Sequence, residues 1–378
     1  MTSLPPDFKN PLTRRRAVLT ALELPEDDSI HLLLDELRLL LSNLDVETAA
    51  VSTQKRSRPD AAFLLGSGKV ESLRVLAEAS SADLIVSNDL LSPIQLSNIR
   101  KITNCEVWDR ALVIMKIFER RAVTAEAKLQ VELARCRYEM PHIRGLGKQM
   151  SNAGAGIGTR GPGETEFERH RRKLQSRIVD ATRKLEEIRR RRQGQRKQRR
   201  RSGILTIALA GYTNSGKTTL LKRLSGDTKL YAADQLFATL DTAVRSIKRG
   251  GRQFLLADTV GFIRDLPPEL IAAFRATLEE VCQADLIWIV LDVNDPDVLS
   301  TYSVIQQTLL EIGAASLPRT LVLNKIDSAG SLKTQRVQEI LSQENIPVCP
   351  ISALTGEGID SLLDMTDWVR PLRDERRT

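Results

Sequence analysis

The stretch ILTIALAGYTNSGKTTLLKRL, residues 204–224, decides the fold of the C-terminal half of the chain. An apolar run leads into Gly-x-x-x-x-Gly-Lys-Thr, and a run with amphipathic helical spacing follows. That is the strand, loop and helix context a phosphate-binding loop requires. The loop and its first helical turn comprise Gly211, Tyr212, Thr213, Asn214, Ser215, Gly216, Lys217, Thr218 and Thr219. Backbone amides from Tyr212 to Thr218 are expected to wrap phosphates at a helix N-terminus. Lys217 is assigned to the β- and γ-phosphates, and the Thr218 hydroxyl to Mg²⁺. A plain glycine turn would not need both Lys and Thr after its second glycine.

Three further motifs follow in order. Asp258 ends the apolar strand QFLLAD and opens DTVGFIRDLP (258–267), so it is expected to hold Mg²⁺ directly or through water. Gly261 would offer its amide to the γ-phosphate. RTLVLNKID (319–327) supplies base specificity. Asp327 can accept both hydrogens from N1 and N2 of guanine, Asn324 can reach the far side of the base, and the Lys325 stem can lie over the ring. Adenine would leave that carboxylate buried and unpaired, so the site rejects it. Ser352, Ala353 and Leu354 follow a further strand, where the Ala353 amide can meet guanine O6. Each later motif is weak alone, but the four in this order imply a domain that binds GTP and GDP.

The stretch GSGKV (66–70) also follows a strand and opens a helix. Phe63 stands where the first glycine of a phosphate loop belongs, and Val70 replaces the metal-binding hydroxyl. A tight packing turn explains it better than a second nucleotide site.

The rest of the chain sorts into two regions. Residues 1–118 alternate short apolar runs with amphipathic helices, which predicts a small parallel α/β domain. Residues 119–201 change texture: a helical pattern runs from Arg120 to Met140, a glycine-rich stretch fills 144–163, and Phe167, Leu174, Ile178, Ala181, Leu185 and Ile188 repeat at three-and-four spacing. This predicts a helical hairpin with a glycine-rich tip loop, joined by a basic linker to a domain at 202–378. The fold class expected is therefore α/β: small α/β domain, long hairpin, then phosphate-loop GTPase domain.

The chain carries 56 Lys and Arg against 48 Asp and Glu, a net charge of +8. Eleven of those cations fall between Arg183 and Arg201, opposed there only by Glu186 and Glu187. That tract exceeds the whole-chain surplus, so the positive charge is concentrated in it. Such a tract suits contacts to nucleic-acid phosphates, with steep salt dependence. It has no aromatic residues interleaved, so base stacking there is not expected. Recognition of folded RNA by shape and phosphate fits better. Four scattered cysteines suggest neither zinc nor a disulfide framework. The polar N-terminus and the absence of a long apolar run predict a cytoplasmic protein. Membranes and DNA are not expected partners, and a monomer is expected.

With GYTNSGKT, the segment QLFATLDT (235–242), DTVGFIRDLP, AFRATLEE (273–280) and NKID, the chain resembles the HflX-type GTPases of the Obg-related group. GIGTRGPGETEFERHRRKLQSRI (156–178) and LLGSGKVESL resemble other regions of the same family. The resemblance implies GTP hydrolysis on the large ribosomal subunit and its rRNA, with stalled ribosomes split under stress. It also implies that the hairpin tip reaches toward the peptidyl transferase centre. The family's switch segment usually reads TLDPT, and this chain lacks that proline. It also lacks the C-terminal domain of longer members, whose contacts are not carried over.

Phe262 follows Gly261, where Ras-like enzymes place a glutamine that orients the attacking water. Phenylalanine has no hydrogen-bonding group. The resemblance assigns a hydrophobic residue to this position, so hydrolysis alone is expected to be slow. The ribosome would order the switches, Thr239 in particular, around Mg²⁺ and the γ-phosphate. Asn214 is a second candidate: related GTPases use an asparagine here to ligate K⁺, a fixed positive charge near the phosphates. Its competing explanation is that asparagine suits the loop's backbone. A regulatory switch acting on a protein or membrane, and a ribosome assembly factor, are the alternative functions.

Overall fold

The computed structural model describes residues 14–25, 30–151, 162–201, 204–226, 243–249, 251–259, 261–263 and 280–366. The chain divides into two compact units, Met1–Ile117 with Arg135–Val179 and Phe118–Ala134 with Asp180–Thr378.

In the first unit, β1 (Arg15–Glu23), β2 (Val46–Lys55), β3 (Leu84–Ser87) and β4 (Glu106–Asp109) form a parallel sheet in the order β2-β1-β3-β4. Three helices, α1 (Ile30–Ser42), α2 (Ser67–Ala79) and α3 (Pro93–Thr103), make the crossovers that parallel strands need. The helix α1 buries Ile30, Leu33, Leu34, Leu37, Leu40 and Leu41, a three-and-four pattern that sets its inner face. Pro93 starts α3 behind a Ser92–Gln95 capping box. The GSGKV stretch is the turn into α2: the Gly66 amide donates to Gln54 Oε1 at 2.8 Å, and Val70 is fully buried. A Cβ on Gly66 would stand 2.9 Å from Arg56 Nη1, the mobile end of a part-exposed side chain.

The middle of the chain holds the helices α4 (Arg110–Arg121), α5 (Ala125–Ser151) and α6 (Pro162–Arg201). Along α6 the seam residues Leu174, Ile178, Ala181, Leu185 and Ile188 are withdrawn from solvent while most of their neighbours are exposed. Two expectations are corrected here. Residues 144–151 continue α5 and 162–163 begin α6, so only 152–161 of the glycine-rich stretch lie outside the described residues. The basic tract, expected to be the linker, is itself helical, since α6 continues to Arg201. Arginine, glutamine and lysine are strong helix formers, and they carry the helix across Gly194.

In the second unit six strands take the order β10-β9-β8-β5-β7-β6: β5 (Leu205–Gly211), β6 (Ala243–Arg249), β7 (Arg252–Asp258), β8 (Leu286–Asp292), β9 (Arg319–Asn324) and β10 (Val348–Pro350). All pairings are parallel except β6 with β7 at the edge. The central strands are apolar on both faces, as a covered parallel sheet demands. Along β8, Leu286, Trp288 and Val290 enter one apolar core, while Ile287, Ile289 and Leu291 enter the other. This two-sided burial holds the carboxyl ends of β5, β7, β8 and β9 together, and ligands bind at such ends.

Candidate nucleotide-binding site

The loop after β5 turns on three residues with positive φ: Gly211 at 155°, Asn214 at 63° and Gly216 at 95°. Successive turns of this kind aim backbone amides inward and make an anion-binding concavity. A Cβ at Gly211 would collide with the Val290 carbonyl, and one at Gly216 with the Asn324 amide. Asn214 is exposed and left-handed, a conformation that asparagine tolerates well. The loop's backbone thus favours asparagine at this position.

Lys217 begins α7 (Lys217–Ser225), 6% exposed, and its Nζ donates to the carbonyls of Gly211 at 2.9 Å and Tyr212 at 2.7 Å. Burial lowers its pKa to about 8, and nearby Asp258 opposes that shift. An anion arriving beside this amine restores the charge that burial disfavours. Thr218 Oγ1 donates to Asp258 Oδ2 at 3.0 Å, which brings together the hydroxyl and the carboxylate assigned to a metal. Both are hard oxygen donors of the kind Mg²⁺ takes. The neighbouring Thr259 hydroxyl is fully buried and donates to the Leu209 carbonyl at 2.6 Å, which fixes the turn after β7 to β5. Sequence reasoning missed that anchor.

Gly261 is tight against the phosphate loop. A Cβ there would lie 2.9 Å from Thr213 Cγ2, 3.0 Å from Thr213 Cα and 3.1 Å from Lys217 Nζ. Phe262 continues the contact as a parallel bridge with Tyr212: its amide donates to the Gly211 carbonyl at 3.0 Å, and its carbonyl accepts the Thr213 amide at 2.9 Å. The Phe262 side chain is 3% exposed and packs in the apolar core with Ala208, Ala210 and Ile289. Thr239 lies outside the described residues.

The base-recognition residues meet at the other end of the loop. Asn324 Nδ2 donates to the Ser215 carbonyl at 2.8 Å, and its Oδ1 accepts the Ala353 amide at 2.9 Å. The expected roles of these two groups are contacts to the far side of the base and to guanine O6. In the structure the two are paired with each other, and the Asn324 side chain, 2% exposed, bridges the phosphate loop and the loop that carries Ala353. Lys325 Nζ pairs with Asp292 Oδ2 at 2.8 Å, which draws its stem along the site. Asp327 and Leu354 are exposed, whereas Ser352 is buried and its hydroxyl accepts the Thr355 amide at 3.0 Å. Arg223, from α7, donates to the Thr355 carbonyl, a contact with no sequence signal beyond the nearby Gly356 and Gly358. The arrangement brings a glycine-turned loop, the buried Lys217 amine and the Thr218–Asp258 pair together, with Asn324 bridging to Ala353.

Comparison with known proteins places this geometry. Three family models match in sequence: "GTP-binding GTPase N-terminal" over residues 32–119, "GTP-binding GTPase Middle Region" over 121–199, and "50S ribosome-binding GTPase" over 206–325. A protein named GTPase HflX from Caldanaerobacter subterraneus subsp. tengcongensis is 42% identical over 93% of this chain and 79% of its own length. The GTPase HflX of Escherichia coli (strain K12) is 39% identical over 92% of this chain and 81% of its own. Among solved structures, the complex of SsGBP with GDP is 26% identical, with a TM-score of 0.52, covering 95% of this chain and 99% of that one.

Proposed function

The chain belongs to the HflX family of GTPases, and from that membership we propose that its GTP hydrolysis is coupled to the large ribosomal subunit. The observation that carries the proposal is the run of eleven cations between Arg183 and Arg201, held on the last turns of α6. Charge carried along one helix can follow phosphates and contact folded rRNA without reading bases. The match of residues 206–325 to a model described as a 50S ribosome-binding GTPase supports the same partner.

The chain's own groups divide the work. The amides from Gly216 to Thr218 bind the β- and γ-phosphates, the Thr213 amide being held instead by the Phe262 carbonyl; Lys217 neutralises the phosphates, and Gly261 offers its amide to the terminal one. Asp327 selects guanine, while Asn324 ties the base end of the site to the phosphate end. Thr218 and Asp258 would hold Mg²⁺, with Thr239 as a further ligand, and the ion would offset phosphate charge. Hydrolysis by the chain alone is slow, because Phe262 offers no group to order water, and the ribosome accelerates it by ordering the switches. We further assign K⁺ a place at Asn214; equal rates in K⁺ and Na⁺ with ribosomes present would remove it.

On this reading a cytoplasmic monomer splits or rescues stalled ribosomes under stress, with residues 1–118, 119–201 and 202–378 acting as separate domains. Among the described residues no helix is long and apolar enough to cross a membrane. Co-sedimentation with purified large subunits tests the partner. Binding should weaken steeply with salt and fall when Arg189, Arg190, Arg191 and Arg196 become Gln. Binding to anionic liposomes instead of subunits would favour the membrane-bound switch.

A further inference from the structure

Phe262 leaves hydrolysis without the usual water-orienting side chain, and Thr213 packs its Cγ2 methyl against the Gly261 turn while its hydroxyl is buried in the phosphate loop. Its side chain and Lys217 Nζ converge on one point: the position of an absent Cβ at Gly261 lies 2.9 Å from Thr213 Cγ2 and 3.1 Å from Lys217 Nζ. Gly261 and Lys217 are the two groups assigned to the terminal phosphate. Thr213 is 7% exposed, and its Oγ1 is buried with no hydrogen-bond partner among the described residues. Its amide is already committed to the Phe262 carbonyl at 2.9 Å, so the hydroxyl is the group left over. Buried hydroxyls are ordinarily satisfied, and an orphan at a site asks for a ligand.

Ser215 offers a contrast within the same loop. Its hydroxyl is also buried and unpartnered, but it lies beside Gly211, 3.0 Å from the point a Cβ there would occupy, by the Val290 carbonyl. That is the strand side of the loop. Thr213 alone of the two borders the glycine turn that meets the γ-phosphate.

We propose that the Thr213 hydroxyl is a catalytic group that aligns the attacking water with the terminal phosphate in place of the side chain Phe262 lacks. A hydroxyl donates one hydrogen bond and accepts two. It can donate to a γ-phosphate oxygen while accepting from the water. The water oxygen then bonds to the γ-phosphorus as the bond to the β–γ bridging oxygen breaks. GDP leaves with that electron pair, and a water proton passes to the inorganic phosphate. The inference rests on GTP hydrolysis alone and does not need the ribosome.

The test is single-turnover GTP hydrolysis by the full chain without ribosomes, with GTP and GDP affinities measured beside it. Thr213→Val keeps the shape and removes the hydroxyl; Thr213→Ala removes it without a β-branch; Thr213→Ser restores it. Loss of one aligned donor should slow hydrolysis about a hundredfold in the Val and Ala variants. GDP affinity should stay near wild type, GTP affinity should fall far less than the rate, and the Ser variant should hydrolyse near the wild-type rate. Wild-type rates in the Val and Ala variants would overturn the assignment. So would a Ser variant as slow as Ala, or equal losses of GTP and GDP affinity accounting for the slower rate, which would mark Thr213 as structural.

Discussion

The carbonyl of Phe262 accepts the Thr213 amide at 2.9 Å, and the ring of the same phenylalanine is 3% exposed in the apolar core. The residue after the Asp-x-x-Gly turn is therefore a packing and pairing element. It clips the turn to the phosphate loop through its backbone and secures the clip through its side chain. Replacing it with glutamine does not restore a water-orienting group.

Phe262→Gln is accordingly expected to lower stability without accelerating hydrolysis. Phe262→Ala should cost about 3–5 kcal/mol, the usual range for a buried phenylalanine. Urea unfolding and unstimulated GTP turnover measure the two effects. A glutamine variant with wild-type stability and faster turnover would refute this role.

Gly261→Ala places a methyl group 3.0 Å from the Thr213 backbone, which has little room to yield. The bridge between Tyr212 and Phe262 should open, and GTP turnover should fall by about tenfold or more, as loss of an aligned donor costs. GDP affinity should change far less. Rapid-quench hydrolysis paired with fluorescent nucleotide titration separates the two.

Asn324→Ala strips the Ala353 amide and the Ser215 carbonyl of a partner at once. Each buried group left unmade costs ~1–3 kcal/mol. GTP and GDP should both bind more weakly, because the damage lies in the bridge between base and phosphate ends. Selective loss of one nucleotide, seen by isothermal calorimetry, would argue against a bridging role.

The lowered pKa of Lys217, about 8, predicts a proton linkage. Burial favours the neutral amine in the free protein, and the phosphates favour the ammonium in the complex. The bound pKa therefore exceeds the free one, so affinity is full below pH 8 and falls as pH rises above it. Around pH 9, binding should take up close to one proton, read as calorimetric heats in buffers of different ionisation enthalpy. Proton release there would reverse the assigned sign.

Much of the site was legible because its motifs are contiguous. Gly211 to Thr218 and Asn324 to Asp327 each place their chemistry within a few residues, so strand and helix context suffices to read them. The Asn324–Ala353 pairing, the Thr259 anchor and the Arg223 contact to Thr355 escaped because each joins distant parts of the chain. The helices were underestimated for a different reason. Glycines within 144–151 and dense charge within 183–201 suggest loop locally, yet helix propensity and the seam ending at Ile188 carry the helices through. At Phe262 the sequence shows only the lack of a hydrogen-bonding group, and burial reveals its packing.

The most direct test of the central claim is GTP turnover in potassium buffer with and without purified large ribosomal subunits. Stimulation of roughly 10³-fold, the scale of activation in trans, is the expected result, and Lys217→Ala should abolish it. Unchanged turnover by a protein that binds GTP and the subunit would contradict a site completed by the ribosome.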